Sequence, residues 1–88
     1  DGMIFFFPEP VVQQFWMKDT LIPLDMLFVN ADKRIIYIAH GVPKSETPLG
    51  PKSEVVAVIE IDGGRAEADG IEVGNDVAYT IPADVQVQ

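Results

Sequence analysis

Eighty-eight residues, 48% hydrophobic and 23% charged, suffice for one hydrophobic core and not for two, because a chain this short buries only about 60% of its unfolded surface. No apolar run approaches the roughly 20 residues that span a bilayer, and the lack of cysteine excludes disulfides, thiolate nucleophiles and Cys-based metal sites. The net charge is −8, with four Lys/Arg against five Asp/Glu in residues 1–44 and two against nine in residues 45–88; no basic block exceeds two residues, which opposes binding to phosphate backbones.

Met3 to Phe7 reads as a short strand of aromatic and β-branched residues, ended by Pro8, which cannot donate into a ladder. Three consecutive Phe leave no polar face, so both sides are covered or one meets a partner. Val11 to Lys18 reads as a second strand, with Gln13, Phe15 and Met17 on one face and Gln14, Trp16 and Lys18 on the other. Asp19-Thr20 is a turn, and Pro23 delays the next strand to Leu24–Asn30. Asn30-Ala31-Asp32-Lys33 has hairpin-turn composition, and Arg34 to His40 returns.

Gly41 to Ser53 carries three prolines and reads as a long loop, a place where function often resides. Glu54 to Ile61 alternates, with Val55, Ala57, Ile59 and Ile61 as its core face. Residues 63–70 form one or two helical turns, weakened by Gly63-Gly64 and closed by Gly70 beyond the C-cap. A last strand spans Val77 to Ile81, and Pro82 to Gln88 extends it or frays. Six strands, one short helix and short connections predict an all-β fold, a small antiparallel barrel or a jelly-roll-like sandwich, with residues 1–88 as a single domain.

Phe15-Trp16-Met17-Lys18-Asp19-Thr20, Ile22-Pro23-Leu24-Asp25 and Leu27-Phe28-Val29 together resemble the FWMKNT-x-IPLD signature of domain-of-unknown-function family 192. Gly2-Met3-Ile4-Phe5 and Gly70-Ile71 followed by Val73-Gly74-Asn75-Asp76-Val77 are similar to the family's opening and closing stretches. The resemblance covers essentially the whole chain. It implies a small, mostly β domain of uncharacterised activity, often exported by bacteria, and hence a periplasmic or secreted location. Two positions depart from the pattern: Asp19 stands where the family has Asn, and Asn75 splits the closing Gly-Asp. The family usually has a strand and short helical segment ahead of Gly-Met. Their lack here reads as trimming, which would leave a sheet edge open and favour a homodimer.

The polar-aromatic group Trp16, Lys18, Asp19, Thr20 and Asp25 admits two readings. One is a small-ligand site, with Trp16 as a stacking platform, Lys18 and Asp25 as charge partners and the 41–53 loop as a wall. The other is structural: Trp16 plugs one end of the fold, Lys18 snorkels, and Asp19 or Thr20 caps the turn. Asp25 interrupts an apolar strand, so it is solvent-facing or buried and paired, with Lys18 its nearest partner in sequence.

His40, the only histidine, lacks metal-ligand spacing and reads as solvent-exposed. Ser45 has no nucleophile-elbow frame. The acidic residues Asp62, Glu67, Asp69, Glu72, Asp76 and Asp84 do not follow a calcium-loop pattern. No metal and no cofactor is expected. The leading function is a ligand-binding or accessory module for a small polar ligand or protein partner, not integral to a membrane. The alternatives are a hydrolase- or lyase-type enzyme pairing Lys18 with Asp25 or Glu46, and an assembly module using the apolar edge Ile4–Phe7.

Overall fold

The structure, a computed structural model, describes residues 2–78. Within it lie strands β1 (Gly2–Val11), β2 (Leu24–Val29), β3 (Ile35–Gly41) and β4 (Val55–Asp62), and the single-turn helix α1 (Arg65–Ala68). All strand pairs are antiparallel, and the sheet order is β1-β4-β2-β3. The all-β expectation holds, with one short helix. The sheet is open, with β1 and β3 as its edges, and is not closed into a barrel.

The described residues contain four strands where the sequence predicts six. Val11 to Lys18 is not a strand beyond Val11: only Phe15 bridges, to Leu49, and the rest crosses one face of the sheet. The final strand is represented by the isolated bridge of Arg34 with Asp76 and by the Val77 N–H donating to the Lys33 carbonyl. Its remainder and the tail Pro82–Gln88 lie outside the described residues. β1 continues past Pro8, against expectation. It is an edge strand, and its register shifts between Phe6 and Val11, so Pro8 and Pro10 fall where no ladder N–H is required.

The β2–β3 hairpin forms as its turn composition predicts. The Asn30 side-chain oxygen accepts from the Asp32 and Arg34 amides, and Lys33 takes the left-handed conformation at φ 60°. α1 ends as expected on Gly70 at φ 68°. The Gly70 N–H donates to the Glu67 carbonyl and the Ile71 N–H to the Ala66 carbonyl, a Schellman pair.

Two hydrophobic clusters cover the two sides of the sheet. Phe6, Leu27, Val29, Ile35, Ala57 and Ala66 lie on the α1 side; Met26, Phe28, Ala39 and Val58, with Met17 and Phe15 of the 12–23 segment, lie on the other. The run of Phe is thereby covered on both sides: Phe6 is buried under the α1 side, while Phe5 stacks on Phe15 across the opposite face. β4 likewise has no solvent face at its centre. Ala57 and Val58 are both fully buried, although alternation assigns Val58 to the outer set.

Candidate functional site

The 15–20 segment obeys the alternation read from its sequence, without being a strand. Phe15 packs against Phe28 at 6.0 Å between ring centroids, and Met17 is fully buried. Met17 fits over Gly41, where a β-carbon would stand 2.5 Å from its sulfur. The intervening Trp16 is thrown outward, 54% exposed, and Lys18 Nζ lies 5.3 Å from its ring centroid, a cation–π contact. Trp16 therefore does not plug an end of the fold.

Backbone, not side chains, closes the following turn: the Thr20 N–H donates to the Met17 carbonyl. The segment is tied to the 41–53 loop by Met17 N–H to the Ser45 carbonyl, Lys44 N–H to the Thr20 carbonyl, and paired bonds between Phe15 and Leu49. The loop thus lies beside the segment, and Gln14, Phe15 and Trp16, with Pro48 of the loop, line a shallow depression of about 230 Å³. Asp19 and Thr20 commit no side-chain hydrogen bond among the described residues.

Asp25 does not join this group. It is 1% exposed and faces the α1 side of the sheet, opposite to the 15–20 segment. Lys18 is not its partner. Asp25 Oδ2 accepts from the Gly64 N–H at 3.1 Å and the Ala66 N–H at 3.0 Å, and Oδ1 lies 2.9 Å from His40 Nδ1. The acid/base pair of Lys18 with Asp25 is therefore not assembled, and no ion pair joins Lys18 to Glu46 among the described residues.

Local chemistry explains the arrangement. Gly64 occupies the N-cap of α1 in the left-handed region, φ 86°, and has no side chain with which to cap. Asp25 supplies the missing acceptor from a neighbouring strand. Pro23 completes the clamp: its carbonyl accepts from the Gly63 N–H, and a β-carbon at Gly63 would stand 2.8 Å from the proline ring. The Ile22-Pro23-Leu24-Asp25 motif is thus the seat of α1. His40 is exposed as expected, its side chain 70% accessible, but it also stands directly across the ladder from Asp25. Sequence reading missed the Gly64 and Ala66 amides. The available signal was a short helix preceded by two glycines, with no Ser, Thr, Asp or Asn at its cap, beside an aspartate lodged in an apolar strand.

Burial pushes the Asp25 carboxyl up. The hydrogen bonds from His40, Ala66 and Gly64 outweigh it and hold the group below its ordinary 3.8. Glu60, half-buried on β4, is pushed above its ordinary 4.5 by burial. The signs are opposite. Asp25 contributes stability that is present above its unfolded pKa and lost as pH falls through the depressed folded one; Glu60 contributes stability present below its unfolded pKa and lost as pH rises through its raised one. Urea unfolding at pH 3 and pH 7 checks this. Asp25→Asn reduces the stability gained on going from pH 3 to pH 7, and Glu60→Gln increases it; a pH dependence unchanged from wild type would contradict both assignments.

The model of the DUF192 family, described as an uncharacterised ACR, matches residues 1–79. A protein of unknown function from Novosphingobium aromaticivorans superposes with a TM-score of 0.85 at 45% identity, over 90% of this chain and 57% of its own. A putative transcription regulator from Sinorhizobium meliloti superposes at 0.81 with 37% identity, over 85% of this chain and 59% of its own. The chain thus spans less than two thirds of the length of either structure. None of the curated proteins compared matches it. On its signature, its family match and its fold, the chain belongs to the DUF192 family.

Proposed function

We propose that the domain is a ligand-binding module whose contact surface is Trp16 with Lys18, Asp19 and Thr20, and that Asp25 serves it only as scaffold. The observation that carries this is the presentation of Trp16. An indole held half-exposed between two inward anchors, Phe15 and Met17, is pre-organised at little entropic cost. Uncommitted polar groups lie beside it for orientation. The adjoining depression, about 230 Å³, falls below the roughly 300–1,000 Å³ of drug-sized pockets, so the ligand class is a small polar molecule of monosaccharide scale that stacks on the indole.

The description of the Sinorhizobium neighbour as a transcription regulator does not carry over. A charge of −8 with no basic stripe disfavours phosphate contacts.

Trp16 is the only tryptophan, so its fluorescence reports binding without a label. Screening small polar compounds by thermal shift and fluorescence yields hits that quench the indole. Trp16→Ala abolishes the shift, and Lys18→Ala weakens it about tenfold or less, the scale of one exposed cation–π or polar contact. Hits whose thermal shift survives Trp16→Ala would remove the proposal.

A further inference from the structure

We propose that the outer edge of β3 is an acceptor for an extended polypeptide strand that lays one face, carrying both apolar and basic side chains, into the groove between β3 and α1. The two sheet edges differ in chemistry. β1 is blunted over its last four residues by Pro8, Glu9 and Pro10 and by its register shift, devices that discourage strand addition. β3 reads Ile-Ile-Tyr-Ile-Ala-His-Gly, with no proline and no Lys, Arg, Asp or Glu. Only its first residue is covered: the Ile35 N–H donates to the Asn75 carbonyl, and the Gly74 N–H to the Ile35 carbonyl. From Ile36 to Gly41 the outer backbone groups have no partner among the described residues. That length offers about six residues, roughly 20 Å of ladder.

The groove supplies the side-chain selectivity that strand addition needs. Ile38 and His40 of β3 face α1, and Ala66, Glu67, Gly70, Ile71 and Glu72 form the opposite wall, enclosing about 380 Å³. Ile38, Ala66 and Ile71 make an apolar floor. Glu67 and Glu72 are exposed, and their carboxylates hold no hydrogen bond or ion pair among the described residues. His40, fixed by Asp25, closes one end. An entering strand thus meets an apolar slot rimmed by two unpaired carboxylates, which selects, on the face of the strand turned to the groove, an aliphatic residue with lysine or arginine two positions away.

Backbone hydrogen–deuterium exchange, with a capped peptide whose one face alternates lysine and valine and whose other face is threonine as the probe, and its glutamate-for-lysine counterpart as the control, tests the assignment. The expected result is exchange slowed about tenfold or more at alternate amides within residues 36–41, with β1 unaffected and the glutamate peptide inert. Reversal by Glu67→Lys with Glu72→Lys exchanges the preference between the two peptides. If that variant fails to fold, as judged by circular dichroism, Glu72→Lys alone weakens binding of the lysine peptide. Equal protection by both peptides, protection at residues 2–11, or none overturns the proposal. So does protection that rises with protein concentration without peptide, which assigns the edge to a second copy.

Discussion

Asp25→Ala lowers the stability of the domain by about 2–5 kcal/mol, read as a fall in the urea midpoint. The substitution leaves the buried Ala66 amide and the part-buried Gly64 amide without an acceptor and frees α1 from the sheet. The orphaned Ala66 amide alone costs about 1–3 kcal/mol, and the part-buried Gly64 amide adds less, a large share of the roughly 5–15 kcal/mol that holds a domain together. Asp25→Asn keeps one oxygen and sacrifices the charge, so it falls between wild type and alanine. His40→Ala removes a contact whose histidine is mostly in water and costs only about 0.5–1.5 kcal/mol. That ordering distinguishes a helix seat from an ion pair. If His40→Ala matched Asp25→Ala, the pairing with histidine, not the seating of α1, would be the dominant role.

Gly50→Ala costs about 3 kcal/mol by two independent routes. Gly50 has φ 145°, a conformation closed to L side chains, and a β-carbon there would stand 2.6 Å from the Gln13 carbonyl oxygen and 3.2 Å from the Phe28 ring. The first obstacle is backbone and cannot rotate away. Relief requires the 12–15 stretch to lift, which breaks the Phe15–Leu49 bridge. The variant therefore loses stability and also loosens the mounting of Trp16, so its indole emission shifts toward that of the unfolded chain. A midpoint within about 0.5 kcal/mol of wild type would show that the segment yields freely.

How legible this molecule was depended on how local each feature is. The β2–β3 turn and the Gly70 C-cap were readable because a few adjacent residues decide them. That Trp16 and Met17 point to opposite sides was readable because alternation holds even where no regular strand forms; which of the two is buried was not. Pro8 was misread as a stop because proline's cost depends on whether a strand is at an edge, a property of the whole sheet. The alternation on β4 sorted its residues into two sets, yet burial on both faces erased the contrast between them. The partners of Asp25 were out of reach. Lys18 is near in sequence, whereas the amides that hold the carboxylate are 39 and 41 positions away. A buried charge announces that it has a partner, without saying which.

The position of Asp25 on β2 has a consequence for how the sheet assembles. β2 runs Asp-Met-Leu-Phe-Val after Leu24, and its four apolar residues are buried whichever way they point. Such a strand has no water-facing side to fix its alignment, and a slip of one residue against β3 or β4 would exchange one greasy surface for another. The carboxylate breaks that degeneracy. In the native pairing it stands beside His40 and Ile61, within reach of the α1 amides. Slipped by one, it would point among Phe28, Val58 and Met17, with nothing to receive its charge. Asp25 therefore works as an alignment key: misregistered sheets are rejected during folding because a single ionised side chain has one place in the fold where it can be dry.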